Sequence, residues 1–381
     1  MTRPAPRPGI LEISPYVGGE SGVPGIAEPI VLSSNESALG PSPKVVAALQ
    51  AHASLVHRYP DGGSVALRDA IGAANNLDPA RIVCGNGSDE LLSLLAQIFS
   101  GPGDEVLYSE YGFLMYKISA LAVGATPLSA PETNFRSDID SLLGKVTEKT
   151  KILFLANPNN PTGTYLTADE LERLRDGLRD DILLVIDAAY AEFMSERDFD
   201  AGAALVDKYE NVVMTRTFSK LYALAGLRLG WAYAPAWIVD LLNRVRGPFN
   251  VTAAAQVAGV AALSDPKFYE AARVHNDTWR PWLSAELEAL GLKVVPGFAN
   301  FVLVRFETAG VAEGALNALK LGGILVRAMA GYGLPDALRI TVGRAEDNQL
   351  LVASLRAFLD GVTNKKAAPN KVGHKIVGPA S

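Results

Sequence analysis

The sequence has a single cysteine, Cys84, in 381 residues. That excludes a disulfide framework within the chain and any multi-cysteine metal site. Its four histidines, His52, His57, His275 and His374, are scattered and form no HExxH pair, which argues against a zinc hydrolase. No uninterrupted apolar stretch approaches the length of a membrane span. Met1 to Ile10 carries prolines instead of an apolar h-region and does not read as a signal peptide. Positive charge is not in excess: 35 Lys and Arg face 41 Asp and Glu, a net charge of −6. The basic footprint that nucleic-acid binding needs is therefore missing. What is present is apolar bulk. Hydrophobic residues make up 49% and charged residues 20%, enough to bury a large core. The length corresponds to about two to three ordinary domains. The expectation is a cytoplasmic, multi-domain globular protein with neither nucleic-acid nor membrane partners.

Residues 1–43 are rich in Pro, Gly and Ser and read as an extended arm. From Lys44 short branched-apolar runs alternate with longer stretches of helical period, the rhythm of βαβ units around a mostly parallel sheet. The runs Arg81–Cys84, Glu105–Tyr108, Lys151–Ala156, Ile182–Ile186, Val212–Thr215 and Leu229–Tyr233 are expected strands. Ser88–Phe99, Gly112–Val123 and Ala168–Leu178 are expected helices between them. A small-residue helix, Ala253–Leu263, leads into a longer one at Pro266–Leu290. Shorter strands follow at Val302–Phe306, Ile324–Arg327 and Leu338–Val342. The fold class is α/β, three-layered αβα. A large domain spans 44–260, a smaller α+β domain spans 261–362, and 363–381 form a Lys-, Pro- and Gly-rich flexible tail.

Ligands of open parallel sheets sit beyond the carboxyl ends of the strands. After the first strand comes Gly85-Asn86-Gly87-Ser88-Asp89, where freed backbone and a helix start could hold a phosphate. An ordinary strand-to-helix turn reads the same way. Lys151–Ala156 runs into Asn157-Pro158-Asn159-Asn160-Pro161-Thr162-Gly163, a dense turn that would hold Asn160 rigidly between prolines. Ile182–Ile186 ends in Asp187, followed by Ala188-Ala189-Tyr190. A carboxylate there is costly to bury without a partner, or else is a solvent-facing cap. Thr217-Phe218-Ser219-Lys220 sets a lysine among small and apolar residues, where desolvation would lower its pKa and make it nucleophilic. Arg228 follows closely. Together these segments supply an amine, a carboxylate, an amide, a phenol and a phosphate cradle. Those are the needs of pyridoxal phosphate, whose ring acts as an electron sink while its nitrogen stays protonated.

The chain resembles the fold-type I pyridoxal-phosphate aminotransferases, and most closely the histidinol-phosphate aminotransferase family. The likeness runs from about Pro8 to Leu359. It rests on Leu32-Ser33-Ser34-Asn35-Glu36, Gly40-Pro41-Ser42-Pro43, Arg58-Tyr59-Pro60-Asp61 and Asn157 to Gly163. Asp187-Ala188-Ala189-Tyr190, the Thr217–Arg228 run and Leu338-Arg339-Ile340-Thr341-Val342-Gly343 complete it.

The resemblance implies that Lys220 is the Schiff-base lysine and proton shuttle, and that Asp187 partners the pyridine nitrogen. Asn160 and Tyr190 would hydrogen-bond the ring hydroxyl, and Tyr111 would stack on the ring. The amides of Ser88 and Asp89, with Thr217, Ser219 and Arg228, would cradle the phosphate. Tyr59 would reach the phosphate of a neighbouring subunit, so a homodimer with shared sites is implied, the arm packing on the small domain and on the partner. Arg339 would grip the substrate's anionic group, with Arg327 a second anion contact and Tyr16 closing over the substrate. Asn35 lies on the substrate side, where Asn35-Glu36-Ser37 replaces the commoner Asn-Glu-Asn or Asn-Glu-Thr. The implied reaction exchanges an amino group between L-histidinol phosphate and 2-oxoglutarate, giving imidazole acetol phosphate and glutamate, a step of histidine biosynthesis. The alternatives are the same chemistry on Phe or Tyr, and decarboxylation of a phosphorylated amino acid. A cofactor-sensing transcription regulator is disfavoured, since a basic DNA-binding domain does not precede the enzyme-like part. Arg327 also has a plain alternative, a surface ion pair.

Overall fold

Burial on both faces explains why the central strands are continuous runs of Leu, Ile and Val. In a computed structural model, which describes residues 4–16, 18–20 and 22–367, they form one seven-stranded sheet. In spatial order the strands are Ile82–Asn86, Leu229–Tyr233, Val212–Thr217, Leu183–Asp187, Thr150–Ala156, Glu105–Ser109 and Thr126–Ala130. All pairings are parallel except those of Leu229–Tyr233, which runs antiparallel to both neighbours. Alternate residues feed two separate cores. Leu184 and Ile186 pack on one face, Leu183 and Val185 on the other. That period of two assigns Asp187 to the second face, the side occupied by helices Ser88–Phe99 and Leu114–Val123.

The edge strand Thr126–Ala130 was not expected. It contains Pro127 and is only partly buried, and neither feature writes a strong strand pattern. The second expected helix begins at Leu114 and not Gly112, because Tyr111 and Gly112 make a turn in which the Gly112 amide donates to the Ser109 carbonyl at 2.8 Å.

A second, four-stranded antiparallel sheet joins Lys293–Val295, Phe301–Arg305, Ala337–Thr341 and Arg327–Ala328. Helices Ala309–Leu321 and Ala345–Ala367 pack with it around a smaller core. The run expected as one strand, Ile324–Arg327, is divided between two sheets. Ile324–Leu325 pairs in parallel with Ile30–Val31 of the arm, while Arg327–Ala328 pairs with Ala337–Thr341. The helix Pro266–Ala289 serves both cores, with Tyr269 and Ala272 in the large one and Leu283 and Leu287 in the small one. Residue 260, near which a division was expected, lies in the preceding helix, Ala253–Leu263. The last helix passes Thr363, and the tail from residue 368 lies outside the described residues. Among the described residues no helix is long and apolar enough to cross a membrane.

The turn after Asp187 is clamped from the next strand. Arg216 donates to Glu192 Oε1 from Nη2 at 2.8 Å and from Nε at 3.2 Å, with both side chains largely buried and the guanidinium over Trp231. Removing one partner of such a pair leaves an uncompensated buried charge. Glu192→Ala should lower unfolding stability by about 3–5 kcal/mol. Chemical denaturation would check this, and a loss below about 1 kcal/mol would show that water solvates Arg216 there.

Candidate active site

The strand ends converge on a cavity of about 270 Å³ between the two sheets, near the lower end of the range for ligand sites. Every residue expected at the site lines it except Tyr59 and Tyr111.

Asp187, at the carboxyl end of its strand, is buried. The Tyr116 hydroxyl donates to its Oδ2 at 2.9 Å and the Thr215 hydroxyl to its Oδ1 at 3.2 Å. Burial pushes its pKa up to about 6; the two hydroxyls oppose that rise and the nearby charge of Asp89 adds to it. Among the described residues no lysine or arginine hydrogen-bonds it. Lys220 is partly buried, its Nζ donating to the Ser34 carbonyl at 3.3 Å and standing 5.7 Å from the Tyr190 ring centroid. Burial, followed by the positive charge of Arg339, brings its pKa down to about 8.

The first-turn amides of helix Ser88–Phe99 have no carbonyl one turn back. Arg228 reaches this helix start, its Nη2 donating to Asp89 Oδ2 at 3.1 Å. Gly87 permits the approach, since it has φ 81° and a Cβ there would lie 2.6 Å from Arg228 Nη2. The Thr217 hydroxyl donates to Ser219 Oγ at 3.0 Å and accepts from the Ser219 amide at 3.1 Å.

On the opposite wall, Arg339 donates from Nη1 to Asn160 Oδ1 at 2.6 Å and from Nη2 to the Ser33 carbonyl at 2.8 Å. Its Nε is buried with no hydrogen-bond partner among the described residues. Arg327 is the direct cross-strand partner of Arg339, so both project from one face of the small sheet. The Arg327 guanidinium lies 5.9 Å from the centroid of the half-exposed Tyr16 ring. Asn35 comes in from the arm, its Nδ2 donating to the buried Tyr190 hydroxyl at 2.8 Å.

Tyr111 requires a correction. Its ring stacks on Phe135 at 5.7 Å and packs in a cluster with Val295 and Leu303 of the small sheet and with Met329 just beyond it. Phe113, which immediately precedes the helix Leu114–Val123, borders the cavity instead. The turn at 111–112 sends the first aromatic away from the strand ends and brings the second toward them. Tyr59 is on the surface, 84% exposed, stacked on Phe249 at 4.7 Å. Sequence reasoning also missed Tyr116 and Thr215. The spacing of Phe113 and Tyr116, three residues apart at a helix start, is a signal for two aromatics on one face. Thr215 pairs laterally with Asp187, which only the strand order reveals.

A profile of the family described as aminotransferase class I and II matches residues 27–355. The chain belongs to this family. A histidinol-phosphate aminotransferase of Paramagnetospirillum magneticum is 61% identical over 94% of the chain and 99% of that protein. One of Rhodospirillum rubrum is 57% identical over 94% and 98%. The crystal structure of histidinol-phosphate aminotransferase from Sinorhizobium meliloti, in complex with pyridoxal-5'-phosphate, superposes with a TM-score of 0.82. It is 27% identical and covers 87% of this chain and 91% of its own.

The side chains of this aminotransferase fit that cofactor. Asp187 is a buried carboxylate with no cationic hydrogen-bond partner among the described residues, a place that a protonated ring nitrogen would fill. The free helix amides with Arg228 and Ser219 suit a phosphate. Lys220 is an amine of lowered pKa on the same cavity.

Because the folded-state pKa of Lys220 lies below that of an exposed amine, the unfolded chain holds the extra proton between about pH 8 and 10.5. This lysine therefore favours the folded cofactor-free protein increasingly as pH rises through that window, and the benefit is lost as pH falls through about 8. Modification of Lys220 by an amine-directed reagent, followed by peptide mapping, should show a midpoint near 8, and Arg339→Ala should move it upward. A midpoint near that of surface lysines would refute the assignment.

Proposed function

We propose that this chain holds pyridoxal phosphate and transfers an amino group between L-histidinol phosphate and 2-oxoglutarate, giving imidazole acetol phosphate and glutamate. The observation that carries the reading is one cavity joining Lys220, Asp187 and the Arg327–Arg339 pair. When bound, the cofactor supplies a carbonyl that accepts the amino group and a ring that takes up negative charge from the substrate carbon. Asp187 holds the ring nitrogen protonated. Asn160 and Tyr190 bind the ring hydroxyl, and Phe113, in place of Tyr111, borders the ring. The amides of Ser88 and Asp89, with Thr217, Ser219 and Arg228, hold the phosphate.

Lys220, with an amine pKa of about 8, is poised to take the proton from the amino-bearing carbon and return it. Histidinol phosphate has no α-carboxylate, so its phosphate is the anion to be gripped, whereas 2-oxoglutarate brings two carboxylates. Arginine serves both, since guanidinium binds either anion in bidentate fashion. Arg339, with its buried unpaired Nε, and Arg327 beside it provide two such grips. Asn35 orients Tyr190, and Tyr16 covers Arg327 from the arm. The reading includes a homodimer, in which the exposed Tyr59 reaches the partner's phosphate, and a cytoplasmic location.

Arg327→Ala should lower kcat/KM for histidinol phosphate by about ten- to a hundredfold, the worth of one charge-assisted contact. The half-reaction with phenylalanine, which lacks the phosphate, should fall much less. Equal losses on both donors would assign the arginine to the scaffold and favour the aromatic substrates. For the dimer, a Tyr59→Phe subunit mixed with a Lys220→Ala subunit tests the crossing. If Tyr59 acts across the interface, each heterodimer keeps one site with neither lesion; if it acts within its own chain, every site is damaged. Half-reaction amplitude with pyridoxal phosphate present separates the two cases.

A further inference from the structure

Tyr116 has no role in the function described so far, yet its hydroxyl is the shorter of the two side-chain contacts to Asp187. It is fully buried, stacked on Phe154 with ring centroids 5.0 Å apart and interplanar angle 7°, and edge-on to Phe113 at 5.9 Å. The same helix start thus carries the aromatic that borders the cavity and the hydroxyl that binds the carboxylate. We infer that Tyr116 is a positioning residue that keeps Asp187 ionised and aimed for a cationic ring nitrogen, through the hydrogen bond to Oδ2.

The inference rests on the reading of Asp187 as the cofactor's nitrogen partner. Burial, and then the charge of Asp187, holds the Tyr116 phenol well above its ordinary pKa, so it is a neutral donor throughout the working range. A donor to a carboxylate stabilises the charged form. The groups facing Asp187 are Tyr116 from its helix, Thr215 from the neighbouring strand, the Ala189 amide from the following turn, and Asp89 from helix Ser88–Phe99, with Tyr190 nearby. The two hydroxyls and the amide oppose burial, and Asp89 reinforces it. Without the phenol, Asp187 would become neutral at a higher pH and lose its attraction for a cation. Tyr116→Phe keeps the ring packing and removes only the hydroxyl.

The test is equilibrium binding of pyridoxamine phosphate, which cannot link covalently to Lys220, to cofactor-free protein between pH 6 and 9. In the wild type, affinity should decline on the acid side as Asp187 takes up its proton. In Tyr116→Phe the decline should begin about one to two pH units higher, leaving binding about three- to twenty-fivefold weaker near pH 6.5 and converging toward pH 9. Thr215→Val, which removes the longer bond, should move the profile the same way by less. Coincident profiles for wild type and Tyr116→Phe would overturn the inference, and so would a uniform weakening at every pH, the mark of a merely structural role. Failure of the wild type itself to bind would overturn the cofactor reading beneath it.

Discussion

A carboxylate at the end of a buried strand is costly to desolvate, and the arrangement around Asp187 is organised by that cost. The strand that carries it lies at the middle of the seven-stranded sheet, covered on both faces. Asp187 is buried, so protein donors stand in for much of the water it would otherwise bind. Tyr116 comes from the helix on the same face, Thr215 from the adjacent strand in lateral register, and the Ala189 amide from the chain's own turn. Neutral donors moderate the cost without removing it. A site of this kind favours a cationic ligand, and a protonated ring nitrogen would supply such a charge.

The second half of the cavity comes from a different sheet, and polar side chains tie the two together. Arg339 of the small sheet donates to Asn160 of the large domain and to the Ser33 carbonyl of the arm. Asn35 of the arm donates to Tyr190 and receives Asn300 Nδ2 at its carbonyl at 3.1 Å. The arm is also paired to the small sheet through Ile30–Val31. This wall of the cavity therefore depends on three segments far apart in the chain. Burial first, and then the positive charge of Arg339 on this wall, lowers the pKa of the Lys220 amine.

Much of this was legible in the residues themselves. A Leu-Leu-Val-Ile run reads as a strand covered on both faces, whereas the Asp187 that ends it reads equally as a buried carboxylate in need of a partner or as a solvent-facing cap. Helices Ser88–Phe99 and Ala253–Leu263 begin and end where the pattern places them. The Gly-rich turn before Ser88 and the small-residue neighbourhood of Lys220 each have an ordinary local reading, and only together with Asp187 and Asn160 do they point to the chemistry. The weaker readings fail for local reasons too. Thr126–Ala130 is a half-exposed edge containing a proline, so it lacks the alternation that marks a strand.

What the sequence by itself determined is the kind of chemistry, because an amine, a carboxylate and a phosphate cradle must each follow a strand, and adjacency along the chain records that. The tertiary structure alone decided the neighbours across strands and sheets. Tyr111 and Phe113 are both aromatics two residues apart, and only the turn between them sends one to the small sheet and the other to the cavity. Thr215 meets Asp187 because two strands happen to be adjacent, and Arg327 meets Arg339 because the run from Ile324 splits between two sheets. Hydrogen-bond register and strand order are set by packing over the whole domain, so no window of the sequence contains them.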